Sequence, residues 1–91
     1  MDVFYAKSFD KDIERLMHDK GILKKLADSI VEIKSCNRVI DIRNIKKLGG
    51  YQYYYRMKIG DYRLGIKLES NRIVLLRFLH RKDIYKHFPQ E

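Results

Sequence analysis

The sequence has little cysteine, little proline and no long hydrophobic run. Of its 91 residues one is cysteine, one is proline and none is tryptophan. Because Cys36 has no partner for an intrachain disulfide, we expect a reducing, cytoplasmic setting. Apolar runs such as Ile73–Leu76 are far shorter than the roughly 20 residues that span a bilayer, and the opening MDVFYAKSFD lacks the features of a secretory signal. We therefore expect no membrane partner.

Several catalytic patterns are missing as well. His, Cys, Asp and Glu do not occur at metal-ligand spacing, so we predict neither a metal nor another cofactor. Gly49-Gly50 is not followed by the Lys-Ser or Lys-Thr of a phosphate loop, and no Ser-His-acid arrangement is evident. If the protein is an enzyme, we expect it to cleave a phosphodiester without a metal. RNA permits this because its own 2′-OH can attack the adjacent phosphorus.

The sequence does have the composition of a folded protein and a large positive charge. It is 45% apolar and 35% charged, with seven Tyr and four Phe, which is typical of a globular protein. A chain of this length predicts one domain over residues 1–91. The net charge of +8 favours a polyanionic partner such as RNA, DNA or an acidic protein. A basic protein without such a partner is the alternative that charge alone leaves open.

The first half of the chain predicts one strand and two helices. Asp2–Ala6 is short and β-prone, and Ser8 or Asp10 can cap the helix that follows. Gly21 interrupts the helical pattern and Ile22 begins a second helix, so the two form an αα-hairpin. The apolar stripes of the two helices are Phe9, Ile13, Leu16 and Met17, and then Leu23, Leu26, Ala27, Ile30 and Ile33.

The second half predicts an antiparallel β-meander. Cys36–Gly50 is a polar connector, expected to be a loop with a turn or two of helix. The predicted strands are Tyr51–Ile59, Tyr62–Glu69 and Ile73–Leu79, followed by a polar C-terminal segment, Arg81–Phe88. The fold class is therefore α+β, with both helices packed on one face of the sheet and Asp2–Ala6 added to it as an extra strand.

The hairpin around Gly60-Asp61 carries unequal faces. A two-residue turn pairs Ile59 with Tyr62 and so fixes which side chains share a face. The apolar face, expected under the helices, consists of Tyr55, Met57, Ile59, Tyr62, Leu64 and Ile66. The other face pairs Lys58 with Arg63, Arg56 with Gly65, and Tyr54 with Lys67.

This second face predicts a phosphate-binding surface. The pair Lys58–Arg63 repels across the strands, and Gly65 in mid-strand is a further cost. A solvated face kept soluble by charge is the alternative, but such faces usually mix signs. Since Gly65 has no side chain, we expect the gap above it to let a ligand backbone approach Arg56.

Six residues are predicted to be catalytic. Arg56, Lys58, Arg63 and Arg81 can supply positive charge against a developing phosphorane. His80 and Tyr85 follow the last strand and are expected to converge on the same face. A histidine can move protons near neutral pH, and a tyrosine can stack on a base. Further RNA contacts are predicted for Lys46, Lys47, Tyr54, Lys67 and Lys82.

The chain resembles the RelE/ParE superfamily of toxins from type II toxin–antitoxin pairs. The resemblance is carried by YYRMKIGDYRLGIKLESNRIVLLRFLHRKDIYKHF, preceded by IKKLGG; it follows the whole chain in order and size and is most specific from Leu48 to Phe88. Arg56 and Lys58 match the two basic positions of the hairpin's first strand, and Arg63 matches the Arg after the turn. Arg81 matches the basic residue after the last strand, and Tyr85 matches the C-terminal Tyr, whereas the position of His80 varies among members.

The resemblance implies a function and a set of partners. RelE-type members enter the ribosomal A site and cut mRNA there by 2′-OH attack, which inhibits translation and makes them hydrolases of the mRNA interferase type. The expected partners are the ribosome, mRNA and a cognate antitoxin that blocks the basic face, with operator DNA bound through the antitoxin complex. Two alternatives remain open: a ParE-type inhibitor of DNA gyrase, and a non-catalytic RNA- or ribosome-binding module.

Overall fold

The computed structural model describes residues 1–89, and these form nine short elements. In chain order they are β1 (Asp2–Tyr5), α1 (Lys7–Glu14), α2 (Lys20–Ser35), a 3₁₀ turn (Val39–Asp41), β2 (Ile45–Lys47), β3 (Tyr54–Ile59), β4 (Tyr62–Glu69), β5 (Arg72–His80) and α3 (Ile84–His87). The α+β fold class predicted from the sequence is confirmed.

A mixed five-stranded sheet organises the molecule, in the order β1-β5-β4-β3-β2. The pairs β5-β4, β4-β3 and β3-β2 are antiparallel, whereas β1 runs parallel to β5. The first strand therefore joins the sheet, as predicted. The β3–β4 register agrees with the prediction at every pair, from Ile59 opposite Tyr62 to Tyr54 opposite Lys67.

The main core lies between the sheet and the two long helices. Its strand residues include Met57 and Leu64, which the predicted register placed on this face, and Phe78. The helices contribute the buried side chains of Phe9, Ile22, Leu26 and Ile33. Because the apolar side chains of β3 and β4 are used here, their alternate residues must point to the opposite face.

Three details of the helices differ from the predictions. Ala6, rather than Ser8 or Asp10, is the N-cap of α1, and it makes no side-chain capping bond. The Ser8 hydroxyl instead donates to the carbonyl of Leu76 at 2.6 Å and ties the helix to β5. Gly21 lies in the first turn of α2, which Asp19 caps by accepting from Ile22 N at 3.2 Å.

The predicted helical stripes also include two residues that are not in the core. Met17 is 63% exposed, because α1 ends at Glu14 and the stripe therefore does not continue to it. Ala27 is exposed on α2, next to the buried Leu26. In each case the helical period placed the residue near the stripe, but the sheet covers a narrower face.

The connector Cys36–Gly50 contains more structure than a loop. The predicted helical turn is present as the 3₁₀ turn, but β2 was missed: it pairs antiparallel with β3 and extends the sheet by an edge strand. The predicted strand at Tyr51–Ile59 begins later, at Tyr54, because Tyr51–Tyr53 forms the bend that leads into it.

A second, smaller apolar cluster lies on the other face of the sheet. It contains Ile84 and Phe88 from the C-terminal segment together with Tyr54, all buried. Leu48, Leu76 and Leu79 pack against them. The C-terminal segment, expected to be polar, is thus anchored to the face that the two long helices leave open.

Candidate nucleic-acid interface

Five cations share the sheet face opposite α1 and α2. Register places Lys46 opposite Arg56, Lys58 opposite Arg63, and Lys67 opposite Tyr54. Since side chains alternate along a strand, all five cations project from the face that does not carry Met57 and Leu64. We call this set the basic face: Lys46, Arg56, Lys58, Arg63 and Lys67.

The charge of the basic face is largely uncompensated within the part of the chain described. Lys67 Nζ lies 3.5 Å from Glu69 Oε2. Within residues 1–89, the other four cations of the basic face form no ion pair with a carboxylate. Lys46 beside Arg56 and Lys58 beside Arg63 are both like-charge cross-strand pairs. Such pairs cost stability, so the arrangement favours binding an anion between them.

Arg56 and Tyr85 meet at one point on this face. The Arg56 guanidinium carbon lies 5.9 Å from the centroid of the Tyr85 ring, within the range of a cation–π contact. Tyr85 is 59% exposed, although Ile84 before it and Phe88 three residues after it are buried. A cation and an accessible aromatic ring side by side can contact a phosphate and a nucleotide base together.

The space above Gly65 is filled rather than open. A Cβ added at Gly65 would lie 2.7 Å from Phe88 Cδ1 and 2.9 Å from Cε1 and Cγ. The expectation that a ligand backbone approaches Arg56 over Gly65 is therefore wrong. The glycine is needed because the Phe88 ring lies directly on the sheet backbone at this position.

Arg63 of the basic face and a further cation, Arg81, lie beside the β3–β4 turn. Arg63 Nη1 donates to the carbonyls of Gly60 at 3.0 Å and Tyr62 at 2.9 Å, which holds this guanidinium close to the turn. The Arg81 backbone N–H donates to Asp61 O at 2.8 Å, so the chain after β5 also passes beside the turn. Arg81 and Lys82 are both exposed there.

Three predicted site residues are not exposed on the basic face. His80 pairs with Tyr62 and packs against its ring at 5.5 Å, on the face that carries Phe78, and its Nδ1 accepts from Lys82 N at 3.2 Å. It does not converge with Tyr85 as expected. Lys47 pairs with Tyr55 and also lies on the opposite face. Tyr54 has the expected orientation but is 8% exposed, because it packs in the second cluster.

One feature of the site and one feature of the fold were missed in the sequence. Ile84 and Phe88 anchor the segment that carries Tyr85, and their spacing of four residues was the available signal. Asp12, buried on α1, accepts from Arg77 Nε at 2.9 Å, Arg77 Nη2 at 3.1 Å and Phe78 N at 2.9 Å. This network links α1 to β5 over a separation of 65 residues, which no local pattern indicates.

Residues 1–89 contain neither a metal-binding group of side chains nor a membrane-spanning helix. No group of three or more His, Cys, Asp or Glu side chains is placed to hold a metal ion. No helix in the described chain is long and apolar enough to cross a membrane.

The five-stranded sheet with two helices on one face is the fold of small toxin domains of known structure. A family model described as the ParE toxin of type II toxin–antitoxin systems, parDE, matches residues 3–85. Toxin RelE3 of Methanocaldococcus jannaschii is 41% identical over 91 residues, which cover 98% of this chain and 100% of that protein. The chain therefore belongs to the RelE/ParE superfamily of type II toxins and is RelE-like within it.

Solved structures agree with this assignment. The toxin in the RelB–RelE antitoxin–toxin complex from Methanococcus jannaschii superposes with a TM-score of 0.76 at 39% identity, covering 94% of this chain and 99% of that chain. YoeB from Staphylococcus aureus shares the fold at a TM-score of 0.72 and 19% identity, covering 89% and 97% of the two chains.

Proposed function

We propose that this toxin is an endoribonuclease that cleaves mRNA in the ribosomal A site. The observation that carries the proposal is the Arg56–Tyr85 pair, a cation beside an accessible aromatic ring. Its neighbours Lys46 and Lys58 have no acidic partner within residues 1–89. RNA supplies both the anion that relieves this repulsion and the base that can stack on Tyr85.

The proposed reaction uses the 2′-OH of the substrate as nucleophile. Its oxygen attacks the adjacent phosphorus and loses its proton to a water molecule. The bond from phosphorus to the 5′-oxygen breaks, and the leaving oxygen takes up a proton from water. The products are a 2′,3′-cyclic phosphate and a free 5′-OH. Arg56 stabilises the charge that develops on the phosphoryl oxygens, and the Tyr85 side chain orients the nucleotide or contacts a reacting oxygen.

The remaining cations act as a track for the RNA backbone. Lys46 and Lys58 flank Arg56, whereas Arg63 and Arg81 lie at the turn end of the hairpin. Contacts of this kind fix the register of the strand and carry little sequence information. His80 does not have a role in this proposal, since it lies on the other face of the sheet.

The proposed partners are the ribosome, its mRNA and a cognate antitoxin. The RelB–RelE complex pairs a related toxin with its antitoxin, and we extend that relationship to this chain. An antitoxin that covers the basic face would neutralise the repulsion there and exclude RNA at the same time. Operator DNA would be bound by the complex rather than by the toxin alone.

Expression of the toxin without its antitoxin tests the proposal. Mapping of the 5′ ends of cellular mRNA should show new cuts inside codons that depend on translation and carry a 5′-OH. Arg56→Ala and Tyr85→Ala should each remove most cuts without unfolding the chain, since Tyr85 is mostly exposed. Arg15→Ala, which removes an exposed cation just after α1, is the matched control and should cleave like the unmodified toxin.

Inhibition of DNA gyrase is the second candidate function, because the matching family model is described as a ParE toxin. A supercoiling assay run beside the mRNA mapping separates the two. Intact mRNA together with lost supercoiling would refute the nuclease proposal. If neither readout changes, a non-catalytic module that binds RNA or the ribosome becomes the better explanation.

A further inference from the structure

Tyr85 is exposed, yet it lies between two of the best-buried residues of the C-terminal segment. Ile84, which precedes it, is 0% exposed, and Phe88, three residues later, is 3% exposed. Both lie in the second apolar cluster, on the same sheet face as Arg56. A four-residue helix has little stability of its own, so these two anchors determine where the Tyr85 side chain lies.

Phe88 is the anchor that is fitted most closely to the sheet. Its ring occupies the volume that a Cβ on Gly65 would need, with three ring carbons within 2.9 Å of that position. Any other residue at position 65 would push the ring away. The Phe88 ring can therefore lie against β4 only because Gly65 has no Cβ.

The same ring contacts the surroundings of Arg56 from two directions. Gly65, beneath the ring, is the cross-strand partner of Arg56. Tyr54, two residues before Arg56 on β3, packs edge-on against Phe88 with ring centroids 5.8 Å apart. Phe88 and Arg56 are therefore both positioned by the same small part of the sheet, around Gly65 and Tyr54.

We infer that Phe88, seated on Gly65, is a positioning residue that holds Tyr85 beside Arg56. Its effect on RNA cleavage rests on the proposed function, whereas its effect on the place of Tyr85 does not. Phe88 itself is buried and touches no substrate in this scheme. It acts through the backbone of α3, whose last residue immediately precedes it.

A double-mutant cycle at positions 65 and 88 tests the fit. Gly65→Ala adds the methyl group that collides with the ring, so the segment must move. Phe88→Ala removes all three ring carbons that crowd the added methyl group, so Gly65→Ala should have little further effect in the double variant Gly65→Ala/Phe88→Ala. Gly49→Ala is the matched control, since a Cβ there meets no atom within 4 Å.

Fluorine NMR on protein labelled with 3-fluorotyrosine reports the position of Tyr85 directly. The chain has seven tyrosines, and Tyr85→Phe identifies the resonance of Tyr85 by its loss. Gly65→Ala and Phe88→Ala should each shift this resonance, the double variant should shift it no further than Phe88→Ala does, and Gly49→Ala should leave it unchanged. An unmoved Tyr85 resonance in folded Gly65→Ala protein would overturn the inference.

Single-turnover cleavage of mRNA on the ribosome supplies the second readout. Gly65→Ala should lower the rate at saturating toxin by about 10- to 100-fold, the cost of a misplacement of about 1 Å, while the half-saturating toxin concentration stays nearly constant. Phe88→Ala should lower the rate as well, and Gly65→Ala should lower it no further in that background, because the ring with which the methyl group collides is gone. A shifted Tyr85 with full activity, or losses that add fully in the double variant, would contradict the positioning role. If the unmodified toxin cleaves nothing, the proposed function fails, and the fluorine spectra alone decide the positioning role.

Discussion

Arg56, Arg63 and Arg77 lie on neighbouring strands, but their guanidinium groups make different contacts and so have different roles. The Arg56 guanidinium faces the Tyr85 ring, and no carboxylate within residues 1–89 pairs with it. The Arg63 guanidinium is held by two carbonyls at the turn. The Arg77 guanidinium is bound by the buried carboxylate of Asp12. Of the three, Arg56 therefore has the guanidinium that is freest to bind an anion.

Substitution of Arg63 should lower stability as well as RNA binding. Arg63→Ala removes the two bonds to Gly60 and Tyr62, a loss of about 1 kcal/mol, partly offset because repulsion from Lys58 is relieved. For a domain of this size we expect the melting temperature to fall by about 4–8 °C per kcal/mol. Thermal unfolding followed by circular dichroism measures it.

Arg81→Ala is the matched comparison for Arg63→Ala. Arg81 carries the same charge beside the same turn, but within residues 1–89 only its backbone is hydrogen-bonded. Its removal should change stability by less than about 0.5 kcal/mol. Equal melting temperatures for the two variants would show that the Arg63 bonds contribute nothing to the fold.

Glu32 predicts a pH dependence of stability that is separate from the basic face. The side-chain hydrogen bonds from Arg43 lower the pKa of Glu32 below its ordinary value of 4.5, despite the opposing effect of burial. Because the folded pKa is depressed, the stabilisation is present above pH 4.5 and is lost as the pH falls through the folded pKa. Glu32→Gln should thus be less stable than the unmodified protein at pH 7, and the difference should narrow below pH 4.5.

Urea unfolding at a series of pH values measures this difference. Asp28→Asn is the control, since Asp28 pairs with Lys24 at 3.4 Å but both side chains are mostly exposed, and such pairs contribute little. A gap between Glu32→Gln and the unmodified protein that stayed constant down to the acid limit would disprove the role of the ionised carboxylate.

At the scale of elements, the sequence predicted what local rules determine. The β3–β4 hairpin was correct in turn and register because Gly60, at φ 59°, supplies the turn and the alternation fixes both faces. β2 was missed because three residues carry no reliable period, and its pairing with β3 decides its structure. The face on which His80 lies was predicted wrongly, because it depends on the pairing of His80 with Tyr62 and on a β-bulge between β4 and β5. Neither can be recognised from the residues next to His80 in the sequence.

The candidate site was predictable to a similar extent. The residues of the hairpin face followed from alternation, whereas the seat of Phe88 on Gly65 joins positions 23 residues apart. The sequence predicted an open gap above Gly65, although a glycine in mid-strand is equally consistent with a gap that another side chain fills. Only the tertiary arrangement distinguishes the two.

The junction of α1 with β5 should be the most sensitive polar contact in the fold. Asp12→Ala removes the carboxylate that accepts three hydrogen bonds, and it leaves the half-buried Arg77 charge and the Phe78 N–H without their partner. Breaking a buried pair costs about 3–5 kcal/mol, which is a large share of the roughly 5–10 kcal/mol expected in total. Urea unfolding should show the loss.

Asp10→Ala is the control on the same helix. Asp10 is an exposed carboxylate in the first turn of α1, where its interaction with the helix dipole is worth about 0.3–1 kcal/mol. An Asp12→Ala variant that lost no more stability than Asp10→Ala would mean that the network is a consequence of the packing between α1 and β5 rather than a cause of it.

At the scale of the whole molecule, the net charge of +8 is distributed unevenly. On α2, Lys24 and Glu32 each have a partner of opposite charge, Asp28 and Arg43. On the basic face, repulsive pairs outnumber the single bridge from Lys67 to Glu69 within the described chain. Binding of RNA should therefore depend on where the cations are, and not only on how many there are.

Salt dependence of RNA binding distinguishes position from number. The triple variant Lys46→Gln/Lys58→Gln/Lys67→Gln removes three cations from the basic face. If each contacts a phosphate, the slope of log K against log salt for single-stranded RNA should become shallower by about 2, at about 0.7 for each contact. Fluorescence anisotropy with a labelled RNA over a range of salt concentrations measures the slope.

The matched variant Lys11→Gln/Lys20→Gln/Lys34→Gln has the same net charge, because it removes three exposed lysines from α1 and α2. Long-range attraction falls equally in both triple variants, since it depends on total charge. Counterion release falls only where lysines touch phosphates. Equal slopes in the two variants would mean that RNA is attracted by the whole surface and that the basic face is not its binding site. A shallower slope in the first variant alone assigns the phosphate contacts to the sheet.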